Sequence, residues 1–388
     1  MEDNWKHMRT FILFVFSCLT SVLPAQSQSY DSRVLPDTDW LVTPVQHKAA
    51  IYQKGKDVIL DNGLLRRVLR LTPNVACTDY VNLSNGQQLL RAVKPEARLV
   101  LDGKTYDVGG LEGQQDNAYL LSDWVDSMTT GKECFRFVRY SIAELAPFLK
   151  WRRRAWAPET PPARGKTISF EYASPLPSLK DLRVMVHYEL YEGIPLIVKW
   201  VSLENAGQRP IRIDRVTNEV LGLVEEESAV VGKPEEIKKQ HGIYVETNYA
   251  FNNAMRYDIS DQTTHWKTDS SYTSQVNYDF QTPCLLEVYP EKAPGIILQP
   301  GEKFSSVRTH ELLMDSYDRQ RRGLMIRRMY RTVAPWTTEN PIFMHLISKT
   351  DEDVRRAVDQ SVATGYEDRS IAFHFSIAPE SYTWFVVQ

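Results

Sequence analysis

The chain has 388 residues, 43% of them hydrophobic, 11% aromatic and 24% charged, which is ample for a packed core and excludes a disordered or fibrous class. Its formal net charge of -3 gives no footing for nucleic-acid binding, which calls for a clearly basic domain. Partners must therefore be argued from sites rather than from charge.

Lys6 and Arg9 precede an apolar run from Phe11 to Leu23, and Ala25 and Ser27 stand at the −3 and −1 spacing that a signal peptidase reads. The run is too short and too interrupted for a membrane span, so residues 1–27 are expected to be a cleavable secretory signal and the protein periplasmic or secreted. Met8 is an alternative start that would drop Glu2 and Asp3. A lipoprotein reading at Cys18 meets a poor lipobox in Val15, Phe16 and Ser17. With Cys18 in the signal, Cys77, Cys134 and Cys284 remain, an odd number that allows at most one disulfide and offers no zinc spacing.

From Asp57 to about Arg308 the chain reads as short strands broken by turn signals. Asn62-Gly63, Asn85-Gly86 and Asp102-Gly103 are hairpin dipeptides. Runs such as 166–172, 182–190, 196–203 and 211–216 alternate and are rich in β-branched and aromatic residues, as half-buried strands are. That density of strands without helices predicts a mainly β fold, a large antiparallel sandwich over residues 31–310. Residues 158–165 are Pro-rich and read as a loop, and residues 225–239 are charged and read as a surface excursion or a short helix.

Asp315 and Ser316 are expected to cap a linker helix within 311–335, with Tyr317, Leu324 and Met325 inward and Arg319, Arg321 and Arg322 outward. Beyond it, Pro341 to Leu346 has the length of a strand. Thr350 and Asp353 approximate a capping box, Val354, Ala357, Val358 and Val362 recur at helical spacing, and Gly365 stops the helix. Tyr366 would open the next strand. Residues 336–388 therefore read as the first βα step of a parallel-stranded domain, and a βα barrel of about 250 residues would need far more chain.

The stretch from Val186 to Trp200 (VHYELYEGIPLIVKW), with Leu203, Glu204 and Asn205 after it, resembles the N-terminal β-supersandwich of glycoside hydrolases, most closely the α-galactosidase-like group of family 36. That supersandwich is of the galactose-mutarotase-like type. Asn62 to Arg67 with Thr78 and Asn82 is similar to its first hairpin. Arg331 to Gly365, with Trp336 and Asn340-Pro341, resembles the opening of the family's (β/α)8 barrel. The resemblance covers most of residues 50–367 and lapses after Glu367.

It implies a retaining α-glycosidase acting on terminal α-galactosides, in oligo- or polysaccharides, through two carboxyl groups about 5–5.5 Å apart. In that family both are aspartates on later barrel strands. No residue here matches them, so no catalytic residue is assigned, no metal or other cofactor is expected, and this chain is expected to be a truncated, inactive form. A non-catalytic carbohydrate-binding or interaction β-sandwich module is the alternative.

The substrate-binding candidates are Trp336, His345 at the end of the first barrel strand, and Trp151 and Trp156, whose faces could stack on sugars. Against the tryptophans stands an ordinary basic surface loop. Glu112, Asp116, Asp123 and Asp126 could reach the barrel mouth or bind calcium, but their spacing favours solvated carboxylates. His187, His241, His265 and His310 suggest mutarotase-like acid–base chemistry, although mid-strand His187 reads better as a satisfied strand histidine.

Overall fold

The computed structural model describes residues 39–115, 120–149, 153, 157, 161–226, 239–249, 263–269, 284–291, 294–339, 345–346, 350–364 and 372–373. The architecture is mainly antiparallel β, as the strand pattern predicts. A five-stranded meander runs Ala50–Lys54, Asp57–Asp61, Leu65–Arg70, Ala76–Asn82 and Gln87–Gln88. The largest sheet has the order Ile243–Thr247, Thr309–Leu313, Leu196–Asn205, Leu182–Tyr191, Gly165–Ala173 and Arg136–Glu144, with Lys303–Ser305 pairing the far half of Leu196–Asn205. Two four-stranded sheets complete the sandwich.

The turns form for the reasons their residues suggest. Asp102 and Gly103 both adopt positive φ, 49° and 78°, the conformation of the two-residue hairpin turn whose twist matches the flanking strands. At the first hairpin the Asn62 side chain does more than turn the chain. Its Oδ1 accepts from the Leu64 and Leu65 amides, and its Nδ2 donates to the Tyr191 and Ile194 carbonyls at 2.7 and 2.8 Å. One side chain thereby ties the meander to a hairpin of the large sheet.

Burial along Leu196–Asn205 locates the layers. Its second half alternates, with Val201 and Leu203 in the interior, whereas Leu196, Ile197, Val198 and Lys199 are all buried. Both faces are covered there because a helix, Arg319–Val333, lies on the outer face. Met325 and Met329 of that helix pack with Leu196, Val198, Leu312 and Met314. The helix is capped by Asp318, whose side chain accepts from the Arg321 amide at 2.7 Å, and not by Asp315 or Ser316. Asp315 instead pairs with Arg321 and accepts from Trp40 Nε1. Met325 faces inward as expected, but Leu324 and Tyr317 are exposed, Tyr317 because it precedes the helix. The preceding strand continues to Leu313, into the stretch expected to be linker.

The interior holds a polar cluster as well as the apolar core. Arg67, on the meander, donates from Nη1 to Glu219 at 2.9 Å and to Glu311 at 3.1 Å, and all three side chains are fully buried. Lys199 Nζ donates to Glu219 at 2.7 Å, and Tyr80 to Glu311 at 3.1 Å. The Tyr80 and Tyr188 rings face the Arg67 guanidinium at 4.9 and 5.0 Å, covering the nitrogens that lack oxygen partners. Burial and then the Glu219 charge push the Glu311 carboxyl well up, while Glu219, despite its burial, is held low by Arg67 and Lys199.

Near the end of the chain, His345–Leu346 pairs in parallel with Ala372–Phe373, with the helix Asp351–Ala363 between them in sequence. Thr350 caps that helix, accepting from the Asp353 amide at 3.2 Å, as the sequence indicates. The second strand stands at Ala372, beyond the expected start at Tyr366, which lies outside the described residues along with Gly365 and the segment 341–344. Among the described residues no helix is long and apolar enough to cross a membrane.

Candidate functional site

The outer face of the large sheet builds the floor of a cavity of about 1030 Å³ just past the end of the covering helix. Antiparallel register fixes which side chains meet there. One rung across four strands carries Glu246, His310, Val198 and Glu189. Two residues along, His187 stands opposite Trp200, and just past the paired strands Asn248 and Arg308 are bonded to each other. Alternation of strand side chains keeps both sets on the face away from Lys199 and Glu311.

Arg308 is the most constrained group of the floor. Its guanidinium lies 3.8 Å from the Trp200 ring centroid and 4.6 Å from that of Phe148, and it pairs with the buried Glu189. Its backbone N–H donates to Asn248 Oδ1 at 2.8 Å, and its carbonyl accepts from the Asn248 amide. Glu189 also accepts from Tyr191 Oη at 3.0 Å. An arginine stacked on rings and ion-paired is held in one orientation, because its planar fork matches both partners.

Glu246 is held as firmly. Tyr330 Oη donates to its carboxylate at 2.6 Å and Tyr244 Oη at 2.7 Å. Burial and these bonds raise both phenols, Tyr330 to about 12. His310 is pushed down to about 4 by burial and by the Arg308 charge, so at neutral pH it is an uncharged imidazole. The walls are apolar and aromatic. Leu145, Pro147 and Phe148 supply one side; Met329, Val333 and Trp336, the last on the short helical turn Pro335–Thr338, supply the other. Phe148 is 60% exposed. Few polar groups on a fixed floor between apolar walls is the common form of a small-molecule site.

Of the sequence candidates, Trp336 lines this cavity. Trp151 and Trp156 lie outside the described residues, although Arg153 between them reaches the cavity wall. The backbone of His345 forms its strand, and its side chain lies outside the described residues. Of the four histidines weighed for mutarotase chemistry, His310 alone lines the cavity. His187 is satisfied between Ser169 Oγ at 2.7 Å and Ser202 Oγ at 2.8 Å, the strand role its position indicates. His241 pairs with Glu226, and His265 stacks on Tyr289.

Within the acidic stretch Asp126 is taken up by Lys56 and Arg70, and Asp116 lies outside the described residues. Among the described residues no group of three or more His, Cys, Asp or Glu could hold a metal ion. The described cysteines Cys77, Cys134 and Cys284 are buried and unbridged.

Sequence reasoning missed Arg308, Glu246, Asn248, Phe148 and Tyr330. Their signal is faint: polar residues at alternate strand positions look the same whether that face meets water or a cavity.

No family model matches the sequence, and no curated protein does. Among solved structures the chain is similar to the GH36 alpha-galactosidase AgaB from Geobacillus stearothermophilus, at 13% identity and a TM-score of 0.40, over 84% of this chain and 50% of that one. An alpha-galactosidase from Lactobacillus brevis aligns at 10% identity and a TM-score of 0.40, over 79% of this chain and 47% of that one. A TPR-domain containing protein from Parabacteroides distasonis aligns at 11% identity and a TM-score of 0.33, over 66% and 47%. Scores this low do not establish a shared fold. The chain spans about half the length of the alpha-galactosidases it matches.

Proposed function

We propose that this is an exported carbohydrate-active protein whose cavity takes the terminal sugar of an α-galactoside-containing oligo- or polysaccharide. The observation that carries the reading is the cavity itself: Trp336 and Phe148 on the walls over a floor of Arg308, Asn248 and Glu246. A pyranose has an apolar face, which suits an aromatic wall, and a rim of hydroxyls, which suits amide, guanidinium and carboxylate partners. The choice of galactoside rests on the sequence resemblance of Val186 to Trp200 to the family 36 group. On the same basis, the strand–helix–strand unit of residues 345–373 is read as the opening of a βα barrel; residues 1–27 are read as a removed signal from the basic start, the apolar run to Leu23 and the Ala25 and Ser27 spacing. A mature N-terminus other than Gln28 would contradict that cleavage.

The test is calorimetric titration with raffinose, which ends in α-galactose, against maltose as control. Saturable binding of raffinose, lost in Trp336→Ala at unchanged thermal midpoint, is expected. Equal binding by the variant would overturn the assignment of the cavity. Hydrolysis is the second reading, because two carboxyl groups, Glu246 and Glu339, line the cavity. Turnover of an aryl α-galactoside, abolished by Glu246→Gln, would replace binding by catalysis.

A further inference from the structure

The helix Arg319–Val333 carries arginine at six of its fifteen positions. Two are engaged: Arg321 pairs with Asp39 and Asp315, and Arg322 donates to the His241 carbonyl at 2.6 Å. Arg327, Arg328 and Arg331 are exposed and, among the described residues, meet no carboxylate. Arg327 and Arg331 lie on the side away from the buried Met325 and Met329, and Arg328 lies on the flank between. Arg327 and Arg331 stand four residues apart, and Arg328 and Arg331 three apart, so each pair of like charges opposes helix formation by about 0.2–0.5 kcal/mol. The helix C-terminus favours cations in its last turn, which accounts for Arg331 but not for a cluster reaching back a second turn. The chain as a whole is acidic, so general basicity does not account for it either. The cluster adjoins the cavity, because Tyr330, Thr332 and Val333 of the same turns line it, and Arg153 adds a further guanidinium to its wall.

We propose that the exposed face formed by Arg327, Arg328 and Arg331 binds an anionic polysaccharide, sulfated or uronic, and leads it to the cavity. Guanidinium forks match sulfate and carboxylate groups in pairs, which lysines do not. The rise between Arg327 and Arg331 is about 6 Å, close to the length of one pyranose residue, so successive sugars can present their anions to successive arginines. The choice of a polysaccharide over other polyanions rests on the carbohydrate reading of the cavity; the anion site itself does not.

The experiment measures binding of the full chain to dextran sulfate, to polygalacturonate and to neutral dextran, with duplex DNA and phosphatidylserine vesicles alongside. Binding to dextran sulfate or polygalacturonate, weakened by salt and absent for neutral dextran, is expected, and which of the two is preferred separates sulfate from carboxylate. The variant R327Q/R328Q/R331Q should lose on the order of tenfold in affinity and show a shallower salt dependence. Its thermal midpoint and its raffinose binding should be unchanged, because glutamine is a good helix former and none of the three residues lines the cavity. No binding by the native chain, or full binding by the triple variant, would overturn the proposal. Equally tight binding of DNA or vesicles would overturn it too, by showing a surface with no preference for polysaccharide. Loss of raffinose binding by Trp336→Ala with dextran sulfate binding intact would confirm that the two sites fail separately.

Discussion

The guanidinium of Arg308 lies 3.8 Å from the centroid of the Trp200 ring, which stands on the strand Leu196–Asn205. The same arginine is the ion partner of Glu189, which is 4% exposed. Removing the cation leaves that carboxylate buried beside a phenol and an indole. Arg308→Met is therefore expected to destabilise the fold by about 3–5 kcal/mol in urea unfolding. Arg308→Lys should recover only part of this, since an ammonium neither stacks on two rings nor forks to a carboxylate. A loss below about 1 kcal/mol for Arg308→Met would mean that Glu189 is solvated in a way this packing does not allow.

Stability should depend on two histidines under mild acid. His187 and His310 both sit at about 4, depressed by burial and by the Arg308 charge, against about 6.5 for an unfolded histidine. Between those values the unfolded chain binds more protons than the folded one, so stability is fully present above pH ~6.5 and falls as pH drops toward ~4. Glu311 acts in the opposite sense, since its raised carboxyl favours the folded state at low pH. The histidine contribution is isolated by comparing the native chain with the His187→Gln/His310→Gln double variant across that window. The difference in unfolding free energy should be flat above pH ~7 and then change by a few kcal/mol down to pH ~4, because each proton the folded state refuses tilts the balance by about 1.4 kcal/mol for every pH step of one. A flat difference throughout would refute the assignment.

Gly165 begins its strand opposite Tyr191, and a Cβ built on it would collide with the Leu190 carbonyl oxygen, a backbone atom that cannot step aside. Gly165→Ala should break the first rungs of that pairing and loosen the segment 161–164, which leads off the cavity wall at Pro162 and Ala163. A destabilisation of at least about 2 kcal/mol is expected, with faster amide exchange at Leu190 and Tyr191. Gly193, two residues past that strand, has open space where a Cβ would go, but its φ of +70° makes an alanine there strained for a different reason.

Much of the sandwich was legible because its signals are local. Alternation in Gly165–Ala173 and Leu182–Tyr191, and the dipeptide Asp102-Gly103, determine strand and turn within a few residues. The cap at Thr350 was equally plain, and the cap of the covering helix was misplaced by two or three residues because Asp315, Ser316 and Asp318 all qualify by type. Only the tertiary partner decided: Arg321 drew Asp315 into an ion pair and left Asp318 to the helix amides. The cavity was nearly illegible. Trp336 could be suspected from the resemblance, but Glu246 and Arg308 are 62 residues apart in sequence and meet only through strand register. That register is a property of pairing, which no single strand encodes.

The interior cluster bears on how the chain reaches this structure at all. Arg67 finds its carboxylates 152 and 244 residues further along, and Tyr80 its own 231 residues away. Until Glu219 and Glu311 have been threaded into place, the meander holds an unneutralised guanidinium at the centre of what must become its driest point. Early hairpins can form and dissolve freely, but none can be locked down alone, so collapse waits on the most distant strands and folding is expected to be slow. A piece of the sandwich cut anywhere between Arg67 and Glu219 would inherit the guanidinium without its ionised carboxylate, and in expression trials it should behave as an insoluble fragment rather than as a smaller domain.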